Sequence, residues 1–179
     1  GTLDGGFDFT ATVGAANITL TGAVGGSTPL GVVLLSSSGV MTFGSSVVAT
    51  SLTTNTNGTV YLGGNVTTTT SQTYNDAIVL TNDVTLTGTD ITLAQTINSD
   101  ATGTKRALTV TGSGVTTFGG AVGGTVALAS LTVNGGGTAL LNGGAVTTSG
   151  AQSYANAVTL GANTTLVTTD SIVGFTSTL

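Results

Sequence analysis

Few side chains in this sequence are suited to chemistry, and aspartate supplies most of them. All seven acidic residues are aspartates, at positions 4, 8, 76, 83, 90, 100 and 170. Glycoside hydrolysis uses two carboxyl groups that flank the scissile bond, and Asp83 and Asp90 are near enough in sequence to approach on one turn of the chain. Isolated aspartates more often accept hydrogen bonds from backbone N–H groups in turns. We therefore predict that Asp83 and Asp90 are turn residues.

The other common reactive groups are missing. The sequence has no His, no Cys and no Glu, which excludes Ser-His-Asp catalysis, Cys-His catalysis and most zinc sites. The G-G-x-G-x-D repeat with which some solenoids bind calcium is also absent. We therefore predict no catalytic, cofactor-binding or metal-binding residues, no cofactor, and a protein that is not an enzyme.

Charge further narrows the function classes. The net charge is −5, and Lys105 and Arg106 are the only basic residues. Nucleic-acid phosphates and anionic lipid surfaces both require clusters of Lys and Arg, so neither is an expected partner. No apolar run approaches the roughly 18 residues of a membrane helix, which predicts no membrane insertion. We expect the basic pair to lie in a solvated loop that leaves the main body of the fold.

Aromatic and threonine side chains are the remaining candidates for a binding surface. Tyr74 and Tyr154 occur in matching contexts, and we predict that each lies at a corner with its hydroxyl reaching water, with sugar stacking as the alternative. Phe43 and Phe118 are predicted core residues. Thr-x-Thr patterns such as Thr85 with Thr87 and Thr109 with Thr111 could order water and bind ice, but the pattern does not recur at one fixed spacing. Ordinary outward-facing threonine is therefore the expected role.

The elements that must position these groups are β-strands. The chain of 179 residues contains 29 Gly and even more Thr, only 5% charged residues, and has a mean hydropathy of +0.47. Disordered chains combine low hydrophobicity with high net charge, whereas Val, Ile and Thr suit pleated surfaces. Short alternating runs recur between Gly, Asn, Ser and Asp clusters, which favour turns. The composition predicts an ordered all-β protein.

The sequence also repeats itself. Segment 63–93 is equivalent to 143–173 at an offset of 80, and SGVMTFGSSV (38–47) matches SGVTTFGGAV (113–122) at an offset of 75. Strands of three to five residues bury too little apolar area to be stable alone, but they become stable when successive circuits of a coil stack. We therefore predict that 1–179 is a single segment of parallel β-helix (β-solenoid) with about nine short rungs and about four rungs in each 80-residue period.

The alternative fold is a pair of tandem antiparallel β-sandwiches. They would divide near residue 100, with the polar stretch 98–106 (NSDATGTKR) as the linker. Either fold accounts for short strands and turns, but the internal repeat favours the solenoid.

The repeat style resembles a known class of protein. The run LTVTGSGVTTFGGAVGGTVALASLTVNGGGTALLNGGAVTTSGAQSYANAVTLGANTTL (108–166) is similar to the repeat regions of giant secreted bacterial β-helical proteins, the filamentous-haemagglutinin-type adhesins and autotransporter-like passengers. The resemblance covers roughly residues 20–175. It implies a right-handed β-helix that holds a binding tip away from the cell, located outside the cell or on its surface.

Three functions remain open at this point. The first is a non-enzymatic structural or adhesive stalk whose partners are adjoining repeats of the same chain and a glycan or host-surface ligand. The second is a self-assembling subunit that stacks end to end or by strand exchange, because an uncapped solenoid exposes open sheet edges. The third is a carbohydrate- or ice-binding surface.

Overall fold

The computed structural model describes residues 1–101 and 103–177, and this part of the chain contains 21 β-strands and no helix. The strands are β1 (Phe9–Thr12), β2 (Ile18–Leu20), β3 (Leu30–Ser36), β4 (Val40–Phe43), β5 (Val47–Thr54), β6 (Thr59–Leu62), β7 (Val66–Thr68), β8 (Ser71–Tyr74), β9 (Ala77–Leu80), β10 (Val84–Gly88), β11 (Asp90–Leu93), β12 (Ile97–Ser99), β13 (Leu108–Gly112), β14 (Val115–Phe118), β15 (Leu131–Asn134), β16 (Thr138–Leu141), β17 (Ala145–Thr147), β18 (Gln152–Tyr154), β19 (Ala157–Leu160), β20 (Thr165–Val167) and β21 (Val173–Phe175).

The described strands pair in parallel with strands one circuit away along the chain. β10 pairs with β7 on one side and with β13 on the other, and β6 lies in the same way between β4 and β9. The predicted parallel β-solenoid is therefore confirmed. The tandem sandwich is wrong, because its hairpins would require antiparallel pairs. The proposed linker 98–106 lies within the coil, since β10 and β13 pair across it; Thr102 lies outside the described residues.

Three faces form the coil, and each carries an inward-facing column of stacked side chains. The first column is Leu3, Val24, Val47, Val66, Leu86, Val110, Val133, Tyr154 and Phe175. The second contains Val33, Leu52, Gln72, Ile91, Thr116, Ala139 and Val158. The third contains Ile18, Met41, Val60, Ile78, Ile97, Val122, Val146 and Leu166. Together these columns make up most of the apolar core.

About eight circuits are present instead of the nine predicted. Successive members of the first column are 19 to 24 positions apart, so the average circuit is longer than the 20 residues assumed from sequence. Two of the three longest intervals, from Leu86 to Val110 and from Val110 to Val133, contain the connections 100–107 and 119–130, and the strands on either side stay in register. The third runs from Val24 to Val47. The circuit length therefore varies at the corners while the faces stay aligned.

The equivalent repeat segments lie on different faces of the coil. Val66 belongs to the first column, whereas Val146, its counterpart at an offset of 80, belongs to the third. The period is therefore one face short of four complete circuits. The local structure is nevertheless the same in both copies, which shows that the three faces are interchangeable environments for one strand motif.

A buried glutamine–tyrosine pair fixes a corner in each copy. Gln72 is fully buried, and its Nε2 donates to Val66 O at 3.1 Å and to Thr87 O at 2.8 Å. Tyr74 Oη donates to Gln72 Oε1 at 3.0 Å. The second copy repeats the arrangement, with Gln152 donating to the carbonyl oxygens of Val146 and Val167 and accepting from Tyr154. Each glutamine thus links its own circuit to the next one.

We predict that Gln72→Leu destabilises the coil by about 2 to 4 kcal/mol, because the buried Tyr74 hydroxyl and two carbonyl oxygens lose their partner. The midpoint of urea unfolding, followed by circular dichroism, measures the loss. Gln95→Leu is the matched control, since Gln95 is exposed and the change should stay within about 0.5 kcal/mol. Equal effects at both positions would contradict a structural role for the Gln72 network.

Candidate functional site

Asp83 and Asp90, the two aspartates considered as a catalytic pair, each accept a hydrogen bond from a different backbone N–H group. Asp83 Oδ1 accepts from Ala107 N at 2.8 Å, and Asp90 Oδ1 accepts from Val115 N at 2.7 Å. Both donors belong to the next circuit of the coil. Asp83 lies at the corner before β10, as predicted, whereas Asp90 is the first residue of β11, so the prediction of a turn is wrong for Asp90. Neither bond is local to a turn as expected. Each carboxylate connects one rung to the following one.

The same inter-rung bond recurs at other corners. Asp and Asn side chains accept from backbone N–H groups of the following circuit, 20 to 28 residues further along the chain. These pairs are Asp8 with Val32, Asn17 with Val40, Asn65 with Thr85, and Asn98 with Thr125 and Val126. The side chains thus extend the hydrogen-bond ladder around the corners, where the backbone leaves the sheet and its N–H groups would otherwise be unpaired.

Glycine lies above these side chains for a steric reason. A Cβ atom added at Gly114 would collide with Asp90 Oδ1, and one added at Gly31 would collide with Asp8 Oδ1. Gly161 stands in the same relation to Asn142 Oδ1. At these three corners the Asp or Asn on one circuit requires a glycine on the next, which accounts for part of the high glycine content.

The basic pair lies in the connection between β12 and β13. The guanidinium of Arg106 donates to both carboxylate oxygens of Asp100, at 2.9 and 3.3 Å. The Arg106 hydrogen bond lowers the pKa of the Asp100 carboxyl, and the same contact raises the pKa of Arg106. Arg106 N also donates to Ser99 Oγ, and Arg106 O accepts from Ala129 N. The connection is thus held against the coil, and the ion pair between Arg106 and Asp100 is partly exposed.

The tyrosine hydroxyls do not reach water, so that prediction is wrong. Tyr74 and Tyr154 are fully buried, and burial raises the pKa of both hydroxyls. Because strand alternation directs them into the coil, neither ring is accessible to a sugar. Phe43 and Phe118 are buried as predicted. The Tyr154 ring also stacks on Phe175 of the following circuit, with 4.9 Å between centroids.

Outward-facing threonines form aligned rows on the first face. Thr85, Thr109 and Thr132 occupy one column, and Thr67, Thr87 and Thr111 occupy the next. Rungs are about 4.8 Å apart, so these threonines form a regular grid. The threonines face outward as predicted, and their unequal spacing in sequence does not break the alignment, because the extra residues of the longer circuits lie in the corners. A second row on the neighbouring face contains Thr53, Thr73, Thr92 and Thr117.

The remaining surface offers shallow depressions. One, of about 360 Å³, is lined by Asn17, Val40, Thr42, Tyr61 and Thr81 on the third face. In the described part of the chain, no three acidic, His or Cys side chains converge in a way that could hold a metal ion. A search of the same residues for a helix long and apolar enough to cross a membrane finds none.

Comparisons with protein-family models, with curated proteins and with solved structures give no match in any of the three.

We predict that Gly114→Ala destabilises the protein by about 1 to 3 kcal/mol, because the new methyl group displaces Asp90 from its bond to Val115. Gly103→Ala is the control, since a Cβ there meets no atom within 4 Å. In the Asp90→Ala background the cost of Gly114→Ala should shrink, and a double-mutant cycle on unfolding free energies measures this coupling. Strictly additive effects would show that the two residues do not interact.

Proposed function

We propose that this chain is a non-enzymatic stalk segment of an extracellular or cell-surface bacterial protein, of the kind found in filamentous-haemagglutinin-type adhesins and autotransporter-like passengers. The observation that carries the proposal is the first core column, which continues without interruption from Leu3 to Phe175. Every circuit inside the column has a neighbour on both sides. Such an arrangement extends in one dimension by adding circuits.

The physical properties of the coil suit a spacer. Each inner strand donates and accepts hydrogen bonds on both edges, and the inward side chains pack on two neighbouring circuits. Eight circuits give a length of about 40 Å at 4.8 Å per rung. The corners absorb changes in circuit length, so insertions there leave the core columns in register. A rigid body of adjustable length that lacks clustered reactive groups is what a stalk requires.

The last circuit has the features of an interior rung. Leu160 and Ile172 are 55% and 75% exposed, whereas Leu80, the counterpart of Leu160 in the first copy, is fully buried under the next circuit. Asp170 is the sequence counterpart of Asp90, which binds an N–H group of the next circuit. These features support another rung as the partner of this edge. The rung belongs to the same chain in a stalk, or to a second copy in a self-assembling filament, which is the second candidate function.

The threonine grid supports a third role for the lateral surface. Its threonines are partly or fully exposed and lie at regular intervals, and such a surface can order water or accept hydrogen bonds from a glycan. Because the grid lies on a face and not at an end, this role is compatible with a stalk.

We predict that duplicating one whole circuit, residues 67–86, yields a folded protein that is longer by about 4.8 Å per copy and has an unchanged cross-section. Small-angle X-ray scattering measures both dimensions. Duplicating only 67–76 is the control; it shifts the later strands by part of a circuit and should lower stability, because inward and outward positions no longer stack. A particle that grows in width instead of length would contradict the stalk.

Light scattering on the same samples separates the two candidate functions. A filament subunit increases in length with concentration, whereas a stalk segment keeps its mass. Turnover of any member of a panel of polysaccharides would contradict the proposal that the chain is not an enzyme.

A further inference from the structure

One buried carboxylate, that of Asp76, has an oxygen without a partner. Asp76 lies at the corner between β8 and β9 and is 1% exposed. Its Oδ1 accepts from Gly58 N at 2.7 Å, while no hydrogen-bond donor among the described residues contacts its Oδ2. Burying an unpaired carboxylate oxygen costs several kcal/mol. A positively charged or donating group placed at this oxygen would therefore stabilise the corner.

The second repeat copy shows what the corner requires. Asn156 is the counterpart of Asp76 at an offset of 80 and is equally buried, at 2% exposed. Its Oδ1 accepts from Gly136 N at 3.1 Å, and its Nδ2 donates to Gly112 O at 3.4 Å. Both polar atoms of the Asn156 side chain therefore have hydrogen-bond partners within the protein. Aspartate carries a negative oxygen in place of the donating Nδ2.

Three oxygen atoms lie near Gly58, the residue whose N–H donates to Asp76. The position of a Cβ on Gly58 would be 2.6 Å from Ser37 O, 2.7 Å from Gly39 O and 3.3 Å from Asp76 Oδ1. Gly58 N donates to Asp76 Oδ1, Thr59 N donates to Gly39 O, and Gly39 N donates to Ser37 Oγ. The corner therefore concentrates oxygen ligands of the kind that hard cations prefer.

A polar cleft of about 310 Å³ adjoins this corner, and no lining residue is basic. Its walls are formed by Thr56, Asn57, Gly58, Asn75, Asp76, Ala77 and Gln95. Asn75 Nδ2 donates to Thr54 O at 2.7 Å, which leaves the Asn75 Oδ1 available as an acceptor. Asn57 has a left-handed backbone, with φ of 78°. The cleft thus supplies amide and carbonyl oxygens beside the buried carboxylate.

We propose that the Asp76 corner binds a calcium ion, with the Asp76 carboxylate as the charged ligand and neighbouring amide and carbonyl oxygens as the others. A site with one carboxylate is weak, with an expected dissociation constant of about 0.1 to 1 mM, as in extracellular calcium modules. Because Asp76 is almost completely buried, the turn formed by Thr56, Asn57 and Gly58 must move when the ion enters. Binding and the position of this turn are therefore coupled.

The test is a titration of the whole chain with CaCl2 at constant ionic strength, followed by the amide NMR signals of Gly58 and Gly136. These two amides donate to the equivalent side-chain oxygens of the two copies, so the second is an internal control. We expect the Gly58 signal to shift and saturate at millimolar calcium, and the Gly136 signal to stay in place. The melting temperature should rise by about 3 to 6 °C at ten times the dissociation constant.

Asp76→Asn should abolish both calcium effects while it keeps the Gly58 bond, as Asn156 does. Asp170→Asn removes an exposed carboxylate and should leave both effects intact. An unchanged Gly58 signal at 10 mM calcium would overturn the proposal, as would an equal response to NaCl of the same ionic strength. If Asp76→Asn does not fold, the titration of the unmodified chain decides the question alone.

Discussion

The structure depends on parallel strands that stack in register, one circuit of the chain upon the next. A single strand of three or four residues has too little apolar surface to remain ordered, and each inward Val, Leu or Ile is covered only when the circuits on both sides are present. Register is set by the alternation of the strands, because a slip of one residue would turn the entire core column of a face toward solvent. Stability is therefore a property of the stack and not of any one circuit.

Hydrogen bonding between the strands ends at the corners of the coil. Particular side chains of the sequence pair with the backbone groups that the sheets leave unpaired there. Asp and Asn side chains accept the first N–H groups of the following circuit, and a glycine makes room for each of these side chains at several corners. Buried Gln72 and Gln152 perform a related task from inside, joining carbonyl oxygens of adjacent circuits. Because corners tolerate extra residues, circuits of 19 to 24 residues can share three continuous columns.

The fold class was predictable from sequence because short alternating strands, glycine-rich turns and internal repeats all favour a solenoid. The count of circuits was less accurate, since corner insertions cannot be distinguished from strand residues by composition. The prediction that the Tyr74 hydroxyl reaches water was wrong because the hydroxyl has a buried acceptor. That acceptor, Gln72, lies two residues away on the same strand, and both side chains face inward. The threonine grid and the partners of Asp83 and Asp90 depend on which residues lie one circuit apart, and a variable circuit length conceals that spacing. Nothing in the sequence predicts the unpaired oxygen of Asp76 except that the other repeat copy has Asn156 at the equivalent position.

Cysteine cross-linking tests the in-register stack most directly, because the chain has no cysteine of its own. Thr85 and Thr109 are neighbours on adjacent rungs, whereas Thr85 and Thr132 are two rungs apart. Rungs about 4.8 Å apart allow a disulfide between the first pair, while about 9.6 Å is too far for the second. The stacked coil predicts that the double variant Thr85→Cys with Thr109→Cys oxidises readily and keeps its fold, and that Thr85→Cys with Thr132→Cys stays reduced. The stack would be contradicted if the monomeric Thr85→Cys, Thr132→Cys variant formed a disulfide and the Thr85→Cys, Thr109→Cys variant did not.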